Sequence, residues 1–110
     1  MAGAKTFIDK KILQRKIVLF SKSYSPECQA IKTMINEYAI PDSVYEVVEI
    51  EKRQDCTQME TYFQVLCLTN ARAVPLLFVN SKYVGGEKEL PRLHQSGELR
   101  KLVDSVCQAA

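Results

Sequence analysis

A serine and a cysteine three residues apart, Ser25 and Cys28, are the residues whose types and spacing best suit chemistry in this chain. They belong to the segment Lys-Ser-Tyr-Ser-Pro-Glu-Cys at residues 22–28. Ser25 is a preferred helix N-cap and Pro26 a preferred first helical residue. Cys28 would then lie in the first helical turn, where unpaired backbone N–H groups and the helix dipole favour a thiolate. The segment therefore predicts thiol–disulfide chemistry.

The neighbouring segments must hold this turn in place. Residues 17–20 form a short, partly β-branched apolar run, which indicates a buried strand. Residues 28–38 carry apolar side chains at helical spacing, which predicts a helix that packs on a sheet. The sequence thus predicts a strand, a tight turn and a helix that presents Ser25 and Cys28 at its start.

The rest of the chain predicts an αβαβαββαα order. Helices are expected at residues 6–13, 28–38, 54–68, 87–95 and 98–107, and strands at 16–20, 44–50, 76–79 and 82–84. We expect Leu13 to pack inward from the first helix and residues 44–50 to be largely buried. This order predicts an α/β fold: a mixed four-stranded sheet flanked by helices on both faces.

Length and composition limit the function further. The 110 residues suit one domain spanning 1–110, with 46% hydrophobic and 25% charged residues, as in soluble globular proteins. A net charge of +2 gives little reason to expect nucleic acid or an anionic membrane as partner. Charged residues interrupt the N-terminal segment, so we expect no secretory signal. The four cysteines lack metal-ligand spacing, which favours a reducing compartment, the cytoplasm, and no bound metal.

Four segments resemble the glutaredoxin family. Residues 22–28 resemble its Lys-x-x-Cys-Pro-x-Cys, with Ser25 in place of the first cysteine. Residues 72–75, Arg-Ala-Val-Pro, resemble Arg-Thr-Val-Pro, and residues 85–90, Gly-Gly-Glu-Lys-Glu-Leu, resemble Gly-Gly-x-x-Asp-Leu. Residues 95–99 resemble the common C-terminal stretch, so the likeness extends over about 16–103. The resemblance implies the thioredoxin-like fold and a monomer.

The resemblance also implies an activity and a set of site residues. Glutaredoxins reduce protein disulfides and remove glutathione from glutathionylated proteins, with glutathione as co-substrate. Ser25 would hold the nucleophile position and Cys28 the resolving one. The glutathione groove would be lined by Lys22, Tyr24, Arg72, Val74, Pro75, Gly86 and Lys88.

Three of these positions carry a specific expectation. Lys22 would pair with the glycine carboxylate of glutathione. Val74 would offer its backbone to the tripeptide through a cis bond to Pro75. The Gly86 helix start, with N–H groups facing outward, would hold the γ-glutamyl carboxylate.

Ser25 decides what the chain can catalyse. Disulfide exchange needs a thiolate, and a serine hydroxyl needs a strong neighbouring base, whereas the sole histidine, His94, is distant in sequence. The chain is therefore expected to lack most glutaredoxin activity, and an iron–sulfur cluster, which uses the replaced thiolate, is not expected. Three alternatives stay open. Ser25 could be a plain helix cap, the chain could be a redox-silent protein that binds glutathione or a peptide, or the Ser25 hydroxyl could donate a hydrogen bond to the glutathione thiolate, as in a transferase. The sequence is compatible both with a natural serine at position 25 and with a replacement of cysteine by serine there.

Overall fold

The structure, a computed structural model, describes residues 2–51, 53–54, 56–66, 75–86 and 88–108. Its elements follow the predicted order. They are α1 (Ala2–Gln14), β1 (Ile17–Ser21), α2 (Pro26–Asn36), β2 (Tyr45–Glu49), α3 (Cys56–Leu66), β3 (Leu76–Val79), β4 (Lys82–Gly86), α4 (Glu89–Ser96) and α5 (Glu98–Gln108).

The four strands form one mixed sheet in the order β2-β1-β3-β4. β1 and β2 are parallel, whereas β3 is antiparallel to both β1 and β4. In this register Phe20 pairs with Leu76, which in turn pairs with Gly86. The end of β1, the start of β3 and the end of β4 therefore meet at one edge of the sheet, next to the start of α2.

Alternate side chains of β1 enter two separate cores, one on each face of the sheet. Val18 and Phe20 pack with Ile8 of α1 and Phe63 of α3, and the rings of Phe20 and Phe63 lie 5.0 Å apart. The opposite core is formed by residues of β1, β3, α2, α4 and α5, among them Ile17, Leu19, Ile31, Leu77, Leu90, Leu99 and Val103. Because a strand turns successive side chains to opposite faces, this run of apolar residues needs helices on both sides. The predicted fold class is confirmed.

Two packing predictions were wrong. Leu13 is 76% exposed, because α1 packs through Ala4, Ile8 and Ile12 at a four-residue spacing that turns Leu13 to solvent. Strand β2 is half-buried over residues 45–47, because β2 is an edge strand that pairs only with β1. An apolar run alone did not distinguish an edge strand from a central one.

Most boundaries shift by one or two residues from the prediction, and the start of α1 and the junction of β4 with α4 bear on the argument. α1 begins at Ala2, so the predicted start at Thr6 lies inside the helix. β4 runs through Gly86, and α4 begins only at Glu89. The predicted end of the third helix, residues 67–68, lies outside the described residues. Within the described part of the chain, no helix is long and apolar enough to span a membrane.

Candidate functional site

Ser25 is the N-cap of α2. Its extended backbone, with φ −80° and ψ 124°, precedes Pro26 at the first helical position. The Ser25 Oγ accepts a hydrogen bond from the Cys28 backbone N–H at 3.3 Å and donates one to Glu27 Oε2 at 3.0 Å. The hydroxyl therefore satisfies one unpaired N–H group of a helix start whose first residue, Pro26, has no N–H, and it is held by a carboxylate.

The thiol of Cys28 lies beneath this turn. Cys28 is completely buried, and its Sγ accepts a hydrogen bond from the Lys22 backbone N–H at 3.4 Å. It joins the core made by α1, α3 and the sheet, whereas Ile31 and Ile35 of the same helix enter the opposite core. A buried thiol cannot reach a large disulfide substrate without movement of the turn, so the resolving position is shielded.

Glu27 is the base nearest to Ser25, and it is a weak one. Its own backbone N–H, and then the Ser25 hydroxyl, donate hydrogen bonds that hold the pKa of Glu27 below its ordinary value. A carboxylate with a lowered pKa takes a proton from a serine hydroxyl even less readily than an ordinary one. His94 cannot help, because its Nδ1 pairs with the Tyr38 hydroxyl beyond the opposite end of α2, about 16 Å along the helix.

Carboxylates that the sequence analysis missed hold the loop before Ser25. The Lys22 ammonium pairs with Glu60 of α3 at 3.0 Å. The Ser21 hydroxyl donates to Glu49 at 2.7 Å, and both the hydroxyl and the backbone N–H of Ser23 donate to Glu51. These partners lie 28 to 38 residues away in sequence, and no local pattern in the chain indicates them. Three consecutive residues, from the end of β1 into the loop, are thus each bonded to a separate carboxylate.

The glycine pair lies against Glu89 rather than open to solvent. The Gly86 N–H donates to Glu89 Oε1 at 2.8 Å, so the expectation that this N–H faces outward was wrong. A Cβ on Gly85 would lie 2.7 Å from the Glu89 Cβ, and one on Gly86 would lie 3.0 Å from the Pro75 carbonyl oxygen. Both glycines are needed because these neighbours leave no room for a side chain.

The structure gathers part of the predicted set. Lys22, Ser25 and Cys28 are linked by hydrogen bonds, and buried Pro75 lies against Gly86 on the same sheet edge. Tyr24 is 68% exposed, and Lys88 is exposed at the N-cap of α4, where its side chain makes no capping hydrogen bond. Arg72, Val74 and the predicted cis bond lie outside the described residues.

The chemistry available at this edge follows from these contacts. The shielded thiol lies near the Ser25 cap and near Lys22, which is paired with Glu60, and the backbone N–H groups of residues 23, 28 and 86 are bonded to side chains of the chain. Among the residues that the structure describes, no three His, Cys, Asp or Glu side chains are placed to hold a metal ion.

A mixed sheet in this order, with a capped helix at its edge above a buried cysteine, defines the thioredoxin-like class of thiol–disulfide proteins. The family model described as Glutaredoxin matches residues 17–84. The chain belongs to the glutaredoxin family, whose members carry out glutathione-dependent thiol–disulfide exchange.

Relatives and solved structures agree with this assignment. The chain is 38% identical to Glutaredoxin-C4 of Arabidopsis thaliana over 97 residues, which are 88% of this chain and 68% of that protein. It is 33% identical to Glutaredoxin-2 of Schizosaccharomyces pombe over 100 residues, which are 91% of this chain and 86% of that protein. The crystal structure of oxidized glutaredoxin 2 from Chlamydomonas reinhardtii superposes with a TM-score of 0.81 at 32% identity, covering 96% of this chain and 94% of that one.

Proposed function

We propose that this chain is a glutaredoxin that retains a glutathione-binding groove but has lost most of its disulfide exchange through Ser25. One observation carries the proposal: the Ser25 hydroxyl is engaged on both sides, accepting from the Cys28 N–H and donating to Glu27. That arrangement is a stable helix cap, and it leaves the nucleophile position without a thiolate.

The family's reaction makes clear which step is lost. A thiolate attacks the glutathione sulfur of a protein–glutathione mixed disulfide, the new S–S bond forms, and the protein thiolate leaves. A glutathione thiolate then attacks that bond, which returns the enzyme thiolate and releases oxidised glutathione. We expect that Ser25 cannot perform the first attack, because the base that contacts its hydroxyl among the described residues is the weakly basic Glu27.

Glutathione binding, in contrast, does not require the cysteine sulfur that Ser25 replaces. The proposed groove runs along the sheet edge from Lys22 past the Ser25 turn and Pro75 to the glycine pair, and its predicted contacts are cationic or backbone in kind. Without covalent capture we expect an affinity in the roughly millimolar range, about −4 kcal/mol. Transferase-like use of Ser25 is less well supported, because its O–H already donates to Glu27.

Titration of glutathione into the labelled chain, followed by NMR, tests the proposal. We expect shifts clustered at Lys22, Val74 and Gly86, no covalent adduct at Ser25, and weaker binding with added salt because exposed charge pairs are screened. Absence of shifts at high glutathione would reject the groove. A glutathione adduct at Cys28 in the mass spectrum would instead show that the buried cysteine performs the exchange.

A turnover assay tests the loss of exchange separately. With free glutathione and a coupled reductase present, the chain should speed the reduction of a small glutathione mixed disulfide little beyond the uncatalysed rate. Turnover comparable to that of the Ser25→Cys variant would contradict the assignment of Ser25 as the disabled position.

A further inference from the structure

A cavity of about 400 Å³ lies at the end of the sheet opposite the proposed groove. It is bounded by the connection between α1 and β1, the loop before β2 and the turn between β3 and β4. Because Ile17 pairs with both Tyr45 and Val79, these segments meet at one end of the sheet, roughly 13 Å along β1 from Ser21. The volume is that of a small-molecule site.

The turn between β3 and β4 is fixed against the end of α1. The Asn80 N–H donates to the Lys16 carbonyl oxygen at 2.7 Å, and the Ser81 hydroxyl donates to that of Ile12 at 3.2 Å. Both turn residues have a positive φ, 52° at Asn80 and 67° at Ser81, and the second place of such a turn usually holds glycine. Serine there costs backbone strain, which its hydrogen bond to α1 offsets, so this wall of the cavity is preformed.

The cavity presents positive charge and neutral hydrogen-bond donors. Arg15 and Lys16 line it, and none of the described residues around it is acidic. Neither cation forms an ion pair with another residue that the structure describes. The Ser43 hydroxyl and the Asn80 side-chain amide also line the cavity and have no hydrogen-bond partner within the described part of the chain. Such a set of groups suits an anion with several oxygen atoms.

Arg15 is oriented for such an anion. Its Nε–H donates to the Asp42 carbonyl oxygen at 3.1 Å, and its Nη1 donates to that of Gln14 at 3.4 Å. These two bonds leave further guanidinium N–H groups without a partner among the residues described, and a guanidinium fork matches a pair of phosphate oxygens. Because Gln14 ends α1, the bond to its carbonyl also offsets the negative end of the helix dipole, which would otherwise repel an anion.

Leu13 adds an apolar surface beside the two cations. Its side chain lines the cavity and is 76% exposed. Among the described residues, only Leu13 and Tyr24 are large hydrophobic side chains left exposed, and Tyr24 belongs to the other end of the sheet. A bare inorganic anion would leave Leu13 uncovered, whereas an anion with an apolar group would contact both the charges and this side chain.

We propose that this cavity is a second binding site, one for small organic phosphates. A phosphate monoester carries a charge of about −1.5 to −2 near pH 7 and has three strong acceptor oxygens, which match Arg15, Lys16 and the neutral donors. Its organic part would lie against Leu13. A carboxylate has one charge and two oxygens, so it would leave one cation unpaired. The site does not depend on the proposed glutathione groove.

The first experiment titrates phenyl phosphate into the labelled chain at constant ionic strength and follows the backbone by NMR. Inorganic phosphate, which lacks the apolar part, and phenyl sulfate, which has the same shape with one charge, are the comparison ligands. Phenyl phosphate should bind about 3- to 10-fold more tightly than either, with shifts at Arg15, Lys16 and Asn80. Shifts confined to Lys22 and Gly86, or equal binding of phenyl sulfate, would overturn the proposal.

Lys16→Gln tests the charge at the site. It should weaken binding of phenyl phosphate about 3- to 10-fold. Lys101→Gln is the matched control, because Lys101 is exposed on α5, does not line the cavity, and its loss changes the net charge equally. Lys101→Gln should leave the affinity unchanged. Equal weakening by both variants, or weakening by neither, would mean that the cavity does not hold the phosphate.

Leu13→Ala tests the apolar contact. It should weaken binding of phenyl phosphate about 2- to 5-fold and leave inorganic phosphate unaffected. An equal change for both ligands, or for neither, would reject a ligand with an apolar part. Failure of this site is distinguishable from failure of the proposed function. Glutathione shifts at Lys22 and Gly86, with no phenyl phosphate shifts at Arg15 and Asn80, would reject this site and leave the groove standing.

Discussion

Helices α2 and α4 both begin at the sheet edge that forms the candidate site, but their first turns are closed by different chemistry. At α2, the neutral Ser25 hydroxyl accepts from the Cys28 N–H. At α4, Lys88 stands at the N-cap without a side-chain hydrogen bond, and the charged Glu89 reaches back to the Gly86 N–H instead. At each place one backbone N–H is bonded to a nearby side chain, within α2 in the first case and at the end of β4 in the second.

The two helix starts differ in the chemical group that bonds the backbone, a hydroxyl at α2 and a carboxylate at α4. A hydroxyl in place of a thiol removes the nucleophile and leaves the charge of the turn unchanged. At the α4 start, the Glu89 carboxylate occupies the Gly86 N–H donor and lies apart from Ser25 and Cys28 in the sequence. We therefore expect substitutions at the α2 start to change exchange activity and substitutions at the α4 start to change stability.

The largest expected effect belongs to the α2 start. Ser25→Cys should raise glutathione-dependent reduction of a small mixed disulfide by on the order of a hundredfold or more, because removing a nucleophile costs covalent enzymes at least that much. The new thiolate would be favoured by the helix N-terminus. Consumption of glutathione in a coupled assay measures the gain.

Ser23→Cys is the control for this gain. It adds a thiol to the same exposed loop, two residues before the cap, without the N–H groups of the helix start. It should stay near the activity of the parent. An equal gain from both variants, or from neither, would contradict the view that the first turn of α2 supplies the missing function.

The next effect concerns stability at the α4 start. Gly85→Ala places a Cβ 2.7 Å from the Glu89 Cβ, so either the strand end or the helix start must shift. We expect a loss of about 1–3 kcal/mol in the free energy of unfolding, measured by urea denaturation. The shift should also break the contact between Glu89 and Gly86.

Gly3→Ala is the matched control, because a Cβ there has no neighbour within 4 Å and lies in helix α1. It should leave stability unchanged or raise it by up to about 1 kcal/mol, since alanine favours helix over glycine. Similar losses from both variants would mean that the cost arises from glycine replacement in general and not from Glu89.

A smaller effect is expected from removing the cap of α2. Ser25→Ala loses the hydrogen bond to the Cys28 N–H and should cost about 1 kcal/mol, whereas Ser25→Gly should cost only a few tenths. Urea denaturation of the two variants beside the parent measures both values. If Ser25→Ala were as stable as the parent, Ser25 could not be the structural cap inferred here.

The two helix starts also show what could be read from the sequence. Serine followed by proline predicts a helix start at Ser25, because both residues have strong local preferences for that place. The continuous apolar run of β1 predicts a buried strand. The Glu60 and Glu89 contacts were missed for different reasons. Glu60 meets Lys22 only after α3 packs beside β1, and Glu89 meets Gly86 only because β4 runs two residues further than its apolar pattern indicates.

The smallest predicted effect lies in the titration of Glu27. Hydrogen bonds from its own backbone N–H, and then from the Ser25 hydroxyl, lower its pKa, so Ser25→Ala should raise the pKa of Glu27 only part of the way to its ordinary value. A carboxyl with a lowered folded pKa contributes stability above the unfolded pKa and loses it as pH falls through the folded pKa. The stability difference between parent and Ser25→Ala should therefore narrow on acidification. NMR of the Glu27 side-chain carboxyl measures the pKa directly, and a value unchanged by Ser25→Ala would show that the hydroxyl does not bond to it in solution.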